Sequence, residues 1–207
     1  MKTLTISLAI CIMAFMAGSA MAQITGSGHD FSSAGWNTSG EICIACHTPH
    51  NALAVTPLWN HEVSTATFTL YTSTTMNATT ATPSGTSLLC LSCHDGSVAL
   101  DNFGGVTIGT NIIAAPDLLG TDLSNDHPVS FVYNATLATA DGELHDPSTA
   151  TGITGTIEAD MLFGTTGNAT MECASCHDVH NGGPASVASL LVKSNAASAL
   201  CLTCHDK

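Results

Sequence analysis

Few stretches of this chain alternate hydrophobic and polar residues with a regular period. Thr65–Thr72 alternates with period two and is rich in Thr, Phe and Tyr, which predicts a short strand. Ser87–His94 is predicted to form a short helix, and Ser194 is predicted to N-cap a last helix that runs to about Cys204. The pattern therefore predicts a few short, separate elements.

Segments rich in small and polar residues separate these elements. Their high content of Thr, Gly, Ala, Asn and Pro predicts loops, which cover residues 72–87, 101–125 and 147–170. So much coil normally counts against a compact domain, unless another feature holds the loops together. We therefore predict a fold that is mostly irregular coil, with short α-helices and few or no short strands.

The first residues form a long apolar run that is typical of an export signal. Lys2 precedes an apolar stretch over residues 4–17, and Ala20-Met21-Ala22 fits a cleavage site. The run is short for a membrane anchor, which is the alternative, and no later apolar run could span a membrane. We expect residues 1–22 to be a signal peptide and the mature chain to be exported, either to the cell surface and medium or to the periplasm.

Composition and charge exclude two classes of partner. The 207 residues include 16 acidic residues and three basic ones, and the formal net charge is −13. A nucleic acid or an anionic membrane surface would find few cations here, so neither is an expected partner. Hydrophobic residues make up 44% of the chain, so it is not disordered by composition, but aromatic residues make up only 5%. The chain is therefore poor in the large side chains that usually fill a core.

Eight of the nine Cys residues occur in four copies of one pattern, Cys-x-x-Cys-His. Two Cys three residues apart lie on one face of a helical turn, where both can bond to the vinyl groups of one haem. The next residue, His, then lies under the iron as its proximal ligand, so this pattern is the c-type haem attachment signature. From the first to the fourth motif, the attachment residues are Cys43 and Cys46, Cys90 and Cys93, Cys173 and Cys176, and Cys201 and Cys204, and the proximal ligands are His47, His94, His177 and His205.

Three other uses of paired Cys compete with haem attachment. Eight Cys in an exported chain could form disulfides, four CxxC pairs could form two Cys₄ zinc sites, and a CxxC pair could be a redox dithiol. None of these requires a His directly after the second Cys, and that His is present in all four motifs. The motifs therefore predict four covalently bound haem c groups, which would pack together as the hydrophobic core and hold the loops.

The remaining His residues distinguish an electron carrier from a haem enzyme. Six are left after the proximal ligands are subtracted, and a carrier with two His on every iron needs four. Internal repetition ranks them, because two motifs continue to CxxCHxxHN and a similar phrase containing His precedes each of these. The predicted distal ligands are His29, His50, His127 and His180, and His61 and His145 are the lower-ranked candidates.

The same repetition predicts the organisation of the mature chain. Residues 23 to about 100 and 120–207 each contain an upstream His, a CxxCHxxH and a downstream CxxCH, so the domain reads as two diverged repeats. A His three residues after a proximal His cannot reach the other side of the same iron, but it can reach the iron of a neighbouring haem. Trp59, Met76, Met161 and Met171 are expected to pack as apolar side chains rather than to ligate iron.

Several phrases of this chain resemble a known family. CIACHTPHNA, PLWNH, CLSCHDGSVALD, NDHPVSF, ECASCHDVHN and CLTCH resemble the doubled-CXXCH multihaem cytochromes, and more narrowly the tetrahaem outer-surface cytochrome E type. The resemblance implies haems with two axial His, an α-poor fold, and polymerisation into extracellular nanowires in which one subunit supplies a His to its neighbour. His29, near the expected mature N-terminus, is the candidate for that exchange.

The expected function is extracellular electron transfer, without enzymatic catalysis. A subunit of a polymeric cytochrome filament is the leading interpretation, and its partners would be further copies of itself, redox proteins or an extracellular acceptor. The low content of charged residues, 9%, agrees with large buried contacts between subunits. A monomeric periplasmic electron shuttle is the alternative. A multihaem oxyanion reductase fits less well, because the chain has few cations to bind an anionic substrate.

Overall fold

The structure is a computed structural model that describes residues 24–54, 57–180 and 190–206. Within these ranges, regular structure is sparse, which confirms the predicted fold class of mostly irregular coil with short helices. The predicted signal peptide, residues 1–22, lies outside the described residues. The helices are α1 (Gly85–His94), α2 (Ala135–Asp141), α3 (Ile157–Met161) and α4 (Cys201–Cys204); the strands are β1 (Phe131–Val132) and β2 (Thr170–Met171); 3₁₀ turns cover Phe31–Ser33, Cys173–Ser175 and Ala196–Ser198.

A small side-chain core lies in the second half of the chain. β1 and β2 pair antiparallel, with Phe131 opposite Met171. Tyr133, Ile157 and Met161 are at most 1% exposed in the cluster that forms around this pair. The i, i+4 spacing of Ile157 and Met161 places both on the buried face of α3. This core includes Cys204 of the fourth motif, so it reaches the site where the sequence predicts a haem.

α1 carries the whole second motif and packs against the 3₁₀ turn at the start of the third motif. Ser87 and Ser92 are fully buried on this helix. The Ser87 hydroxyl accepts a hydrogen bond from the backbone N–H of Cys173 at 2.9 Å. The contact joins two motifs that belong to different predicted repeats. None of the described helices is both long and apolar enough to cross a membrane.

The prediction of a strand over Thr65–Thr72 is wrong. The segment is extended, but only Thr69 forms a bridge, with Asp122. Its backbone exchanges hydrogen bonds at this one point, from Thr69 N to Thr121 O and from Leu123 N to Thr69 O. The partner segment is a loop, so alternation in the sequence finds no continuous neighbour along which a ladder could form.

The prediction of one helix from Ser194 to Cys204 is also wrong. Ala197 and Ser198 have φ values of +52° and +62°, which break the helix after a single 3₁₀ turn. The side-chain oxygen of Asn195 accepts from Leu200 N at 3.2 Å just before α4. Ser194 instead accepts from Ala196 N in a local turn.

The predicted loops are confirmed over residues 101–125, which contain no helix or strand. The other two need correction. Residues 72–87 include the start of α1, and residues 147–170 contain α3 and the first residue of β2. The Thr156 hydroxyl caps α3 by accepting from Ala159 N at 3.3 Å. α3 has only five residues, and its burial against the core, rather than a long periodic pattern, stabilises it.

Candidate haem sites

Each CXXCH motif folds as a helical turn, as its spacing predicts. In the first, third and fourth motifs the backbone N–H of the His donates to the carbonyl of the first Cys, at 2.8, 3.1 and 3.0 Å. The second motif occupies the last turn and a half of α1. A single helical turn places the two Cys and the His on the same side of the backbone, which is the arrangement that covalent attachment of a haem requires.

A closed loop follows the first motif. The Thr48 N–H donates to Leu58 O at 3.0 Å, and the Asn60 N–H donates to Cys46 O at 2.9 Å. Leu58 has a φ of +53°, which turns the chain back towards the motif. The ring of Trp59 then packs edge-on against His47, with ring centres 5.9 Å apart.

The third motif begins a loop with the same hydrogen bonds. The Asp178 N–H donates to Leu190 O at 2.8 Å, and the Val192 N–H donates to Cys176 O at 2.9 Å. Leu190 has a φ of +54°. One local structure thus occurs in both halves of the chain, and the residue that follows it is His61 in the first half and Lys193 in the second.

Three proximal His residues of the motifs each lie beside a predicted distal His. The ring centres of His47 and His180 are 5.9 Å apart. The corresponding distance is 6.0 Å from His94 to His29 and 6.4 Å from His205 to His127. A metal–imidazole bond is about 2.0 Å and the ring centre lies about 1.1 Å beyond the nitrogen, so two axial rings on one iron are roughly 6 Å apart. The three pairs therefore fit an iron between the two rings.

Backbone carbonyls hold one nitrogen of several of these rings. Nδ1 of His47 lies 2.8 Å from Pro57 O, Nδ1 of His94 lies 2.8 Å from Asp117 O, and Nδ1 of His127 lies 2.9 Å from Pro128 O. A carbonyl accepts from an N–H, so Nδ1 carries the proton and Nε2 is the nitrogen left for a metal. The ring environment is that of metal-binding imidazoles.

His29 is the most buried of the three paired distal candidates. Its Nδ1 is buried without a hydrogen-bond partner, as expected of a polar atom that an added group would contact. Burial lowers the pKa of His29, and the neighbouring His94 lowers that pKa further. Both effects favour the neutral imidazole, which is the form that binds iron. His29 lies beside His94 of its own chain. A second subunit is therefore not required to provide His29 with a facing imidazole.

The other candidate ligands occupy different environments. His61 is 2% exposed, and its Nδ1 and Nε2 lie 2.8 Å from Glu62 O and 3.0 Å from Ala99 O. Nε2 also lies 3.6 Å from Cys93 Sγ, so the buried His61 ring lies beside an attachment thiol of the second motif. His145 is half-buried, and its backbone N–H donates to Cys204 O at 2.9 Å. His50 lies exposed, three residues beyond His47.

No disulfide joins the eight motif Cys residues in the part of the chain that the structure describes. All eight are free thiols, and no group of three or more His, Cys, Asp or Glu side chains in residues 24–54, 57–180 and 190–206 could hold a metal ion. Burial raises the pKa of the Cys46 thiol to about 11 and that of Cys93 to about 12. Raised pKa values keep the thiols of Cys46 and Cys93 neutral near pH 7, which argues against a reactive thiolate at either position.

Cys side chains of successive motifs lie near one another. Cys90 of the second motif and Cys173 of the third share a hydrogen bond, which raises the pKa of Cys90 and lowers that of Cys173. Burial and then Cys46 raise the pKa of Cys93, and burial and then Cys176 raise the pKa of Cys204. Each motif therefore neighbours the next one in the sequence.

A cavity of about 410 Å³ adjoins the fourth motif. Cys201, Cys204 and the facing rings of His127 and His205 border it. Tyr133 and Met161 provide apolar surface on its inner side. Two attachment thiols, a pair of imidazoles and an apolar wall are the features that a covalently held porphyrin needs, so these residues fit the group.

Two charged residues near the motifs were not anticipated from the sequence. Glu172 precedes Cys173 and is 3% exposed, and the Lys193 ammonium donates to Thr203 Oγ1 at 3.0 Å, next to Cys204. The one feature of the sequence that could have identified Glu172 is its position directly before the third motif. The contacts of Lys193 depend on the loop that returns the chain to Cys176, which no local pattern predicts.

Comparison with known proteins agrees with this geometry in the last part of the chain. A family model described as the doubled CXXCH motif matches residues 167–207, which contain the third and fourth motifs. No curated protein matches the chain. The paired motif indicates covalently bound c-type haem, and it supports a multihaem c-type cytochrome that transfers electrons.

Proposed function

We propose that this chain holds four c-type haems, each with two axial His, and carries electrons without catalysing a reaction on a substrate. The observation that carries the proposal is the separation of about 6 Å between proximal and distal ring centres in three pairs. Bound haem supplies the one-electron iron couple. The protein side chains attach the porphyrin, orient the two imidazoles and leave no coordination position open to a substrate.

We infer the fourth pair by analogy with the first. His47 lies beside His180, which is three residues beyond His177. His50 is three residues beyond His47, so we propose His50 as the reciprocal partner of His177. In this proposal the two CxxCHxxH segments exchange distal ligands, and their two sites lie side by side.

We propose further that the chain is exported and assembles into filaments. Large apolar side chains lie on the surface of the loop that also supplies Asp117 O to His94. Ile108 is 87% exposed, and Ile112 and Leu119 are 48% and 49% exposed. Large apolar side chains left exposed close together along the chain are typical of interaction surfaces, and a second copy of the chain would cover them. A monomeric shuttle is the competing proposal.

Mass and spin state test the haem proposal. The protein is produced in a host that matures c-type cytochromes, and its intact mass is compared with that of the polypeptide. Four haem additions and a wholly low-spin oxidised spectrum are expected. Fewer than four additions, or a high-spin signal in the untreated protein, would contradict four sites with two His each.

Negative-stain microscopy tests assembly. Secreted material should form thin filaments, and Ile108→Asp should convert them to monomers because it places a charge in the contact. Thr107→Asp adds the same charge to an exposed neighbour without removing apolar surface, and it should leave filaments intact. Monomers at every concentration in the unaltered protein would favour the shuttle.

A further inference from the structure

Glu172 is a buried carboxylate at the junction of the second and third motifs. Its side chain accepts hydrogen bonds from the hydroxyls of Ser87 and Ser130 on one oxygen and from Thr170 Oγ1, at 2.7 Å, on the other. The residue is 3% exposed. Three hydroxyl donors around one carboxyl group, with little contact with water, are the surroundings that an ionised carboxylate requires.

The backbone orients two of these donors towards Glu172. The N–H of Cys173 donates to Ser87 Oγ at 2.9 Å, and the N–H of Ser84 donates to Ser130 Oγ at 3.1 Å. A hydroxyl that accepts from an amide has its own proton free for the carboxylate, and chains of this kind strengthen each bond. The negative charge of Glu172 is therefore held by hydroxyls that backbone groups fix in place, one of them on α1, which carries the second motif.

Lys193 provides a positive charge next to the fourth motif. It is the only Lys or Arg among residues 24–54, 57–180 and 190–206. Its ammonium donates to Thr151 O at 2.7 Å and to Thr203 Oγ1 at 3.0 Å, and the side chain is partly buried. These bonds hold a positive charge one residue away from Cys204.

Both charges lie beside attachment positions. Glu172 directly precedes Cys173, and the Ser87 hydroxyl that donates to its carboxylate accepts from the Cys173 N–H at 2.9 Å. The Lys193 ammonium donates to Oγ1 of Thr203, the residue before Cys204. The two opposite charges thus adjoin two different attachment positions.

We propose that Glu172 and Lys193 are positioning residues that set the redox potentials of the haem sites. Lys193 makes the fourth site more easily reduced, and Glu172 makes the sites at the second and third motifs less easily reduced. The inference rests on the proposed function. A nearby negative charge favours the oxidised, more positive iron, and a nearby positive charge favours the reduced one. Reducing equivalents then collect at the fourth motif, at the C-terminal end of the chain.

Potentiometric titration of the haem-loaded, full-length protein tests the proposal, with dithionite as reductant and the absorption and EPR signals recorded. Glu172→Gln keeps the size and the acceptor oxygen but removes the charge, and it should shift at least one low potential upwards. Lys193→Gln should shift the highest potential downwards, and the double variant should have a narrower spread of potentials than the unaltered protein.

Two conservative variants serve as controls. Lys193→Arg keeps the charge and should keep the high potential. Glu158→Gln removes a carboxylate on α3 that accepts from Gly167 N, outside the motifs, and it should leave all potentials unchanged. If Glu172→Gln does not fold, Lys193→Gln and its control Lys193→Arg still test the proposal.

The possible failures are distinguishable. Unchanged potentials in Glu172→Gln or in Lys193→Gln, with haem content and low-spin spectra intact, would overturn this inference and leave the proposed function standing. Loss of haem or a high-spin spectrum in the unaltered protein would overturn the proposed function itself.

Discussion

The ring centres of His47 and His180 lie 5.9 Å apart with the ring planes inclined by 24°, although the two residues belong to opposite halves of the chain. A hydrogen bond orients each residue: Nδ1 of His47 lies 2.8 Å from Pro57 O, which accepts from it, and the backbone N–H of His180 donates to Asp178 Oδ1 at 2.8 Å. The pair links the two CxxCHxxH segments, so the ligands of one site depend on the folding of both halves.

Replacing His180 with Ala should convert one iron to the high-spin state. The substitution removes the ring that faces His47 and leaves that iron with one axial His. EPR of the oxidised, haem-loaded protein measures the change, with integration of the high-spin signal against total iron. His145→Ala is the matched control and should retain a low-spin spectrum. A low-spin spectrum in the His180 variant would show that another residue completes this site.

Replacing Tyr133 with Phe should destabilise the protein by about 1–3 kcal/mol, because a buried hydroxyl that serves two carbonyls is lost. Tyr133 is 1% exposed, and its hydroxyl lies 2.7 Å from His145 O and 3.3 Å from Cys204 O. Urea denaturation measures the free energy of unfolding. The half-buried Tyr71 provides a control, and Tyr71→Phe should change stability by less than Tyr133→Phe. Equal effects of the two substitutions would argue against the bridging role.

Replacing Met161 with Ala should lower the free energy of unfolding by about 2–5 kcal/mol, as expected when a buried side chain leaves a cavity. Met161 is 1% exposed in the core cluster. Ile108 is 87% exposed, so Ile108→Ala should change the stability of the monomer by no more than about 0.5 kcal/mol. Thermal unfolding at low protein concentration compares the two, and a small loss in Met161→Ala would mean that the cluster collapses around the deletion.

Asp160 should contribute stability that is lost in acid. Burial acts to raise its pKa, but hydrogen bonds from Thr151, Gly155 and Thr154 outweigh burial and lower the pKa from 3.8 to about 2. A depressed pKa in the folded state means that the stabilisation is present above about pH 4 and disappears as the pH falls towards 2. Unfolding free energies measured across this range should fall less steeply in Asp160→Asn than in the unaltered protein.

A variant of the donor provides the control for Asp160. Thr151→Val removes one hydroxyl that donates to the carboxylate while Gly155 N, at 2.8 Å, still donates. It should weaken the acid dependence by less than Asp160→Asn does. The same acid dependence in all three proteins would mean that Asp160 does not set it.

The local chemistry of this protein was determined by its sequence. A Cys-x-x-Cys-His segment has little choice of conformation once it forms a helical turn, so its five residues identify the attachment thiols and the proximal imidazole. The scarcity of regular structure was predictable for the same reason, since segments of Thr, Gly, Asn and Pro have no continuous apolar face to bury. The repeated CxxCHxxH phrase identified His180 as a candidate distal ligand, but it did not indicate that His180 lies beside His47.

Tertiary structure alone decided which groups meet. The pairing of His29 with His94, the hydrogen bond between Cys90 and Cys173, and the surroundings of Glu172 all join residues that are far apart in the chain. The predicted helix from Ser194 is wrong because the backbone has a positive φ at Ala197, which no local pattern indicates. Local spacing specifies the attachment of each haem, whereas long-range packing sets the axial partners and the charges around it.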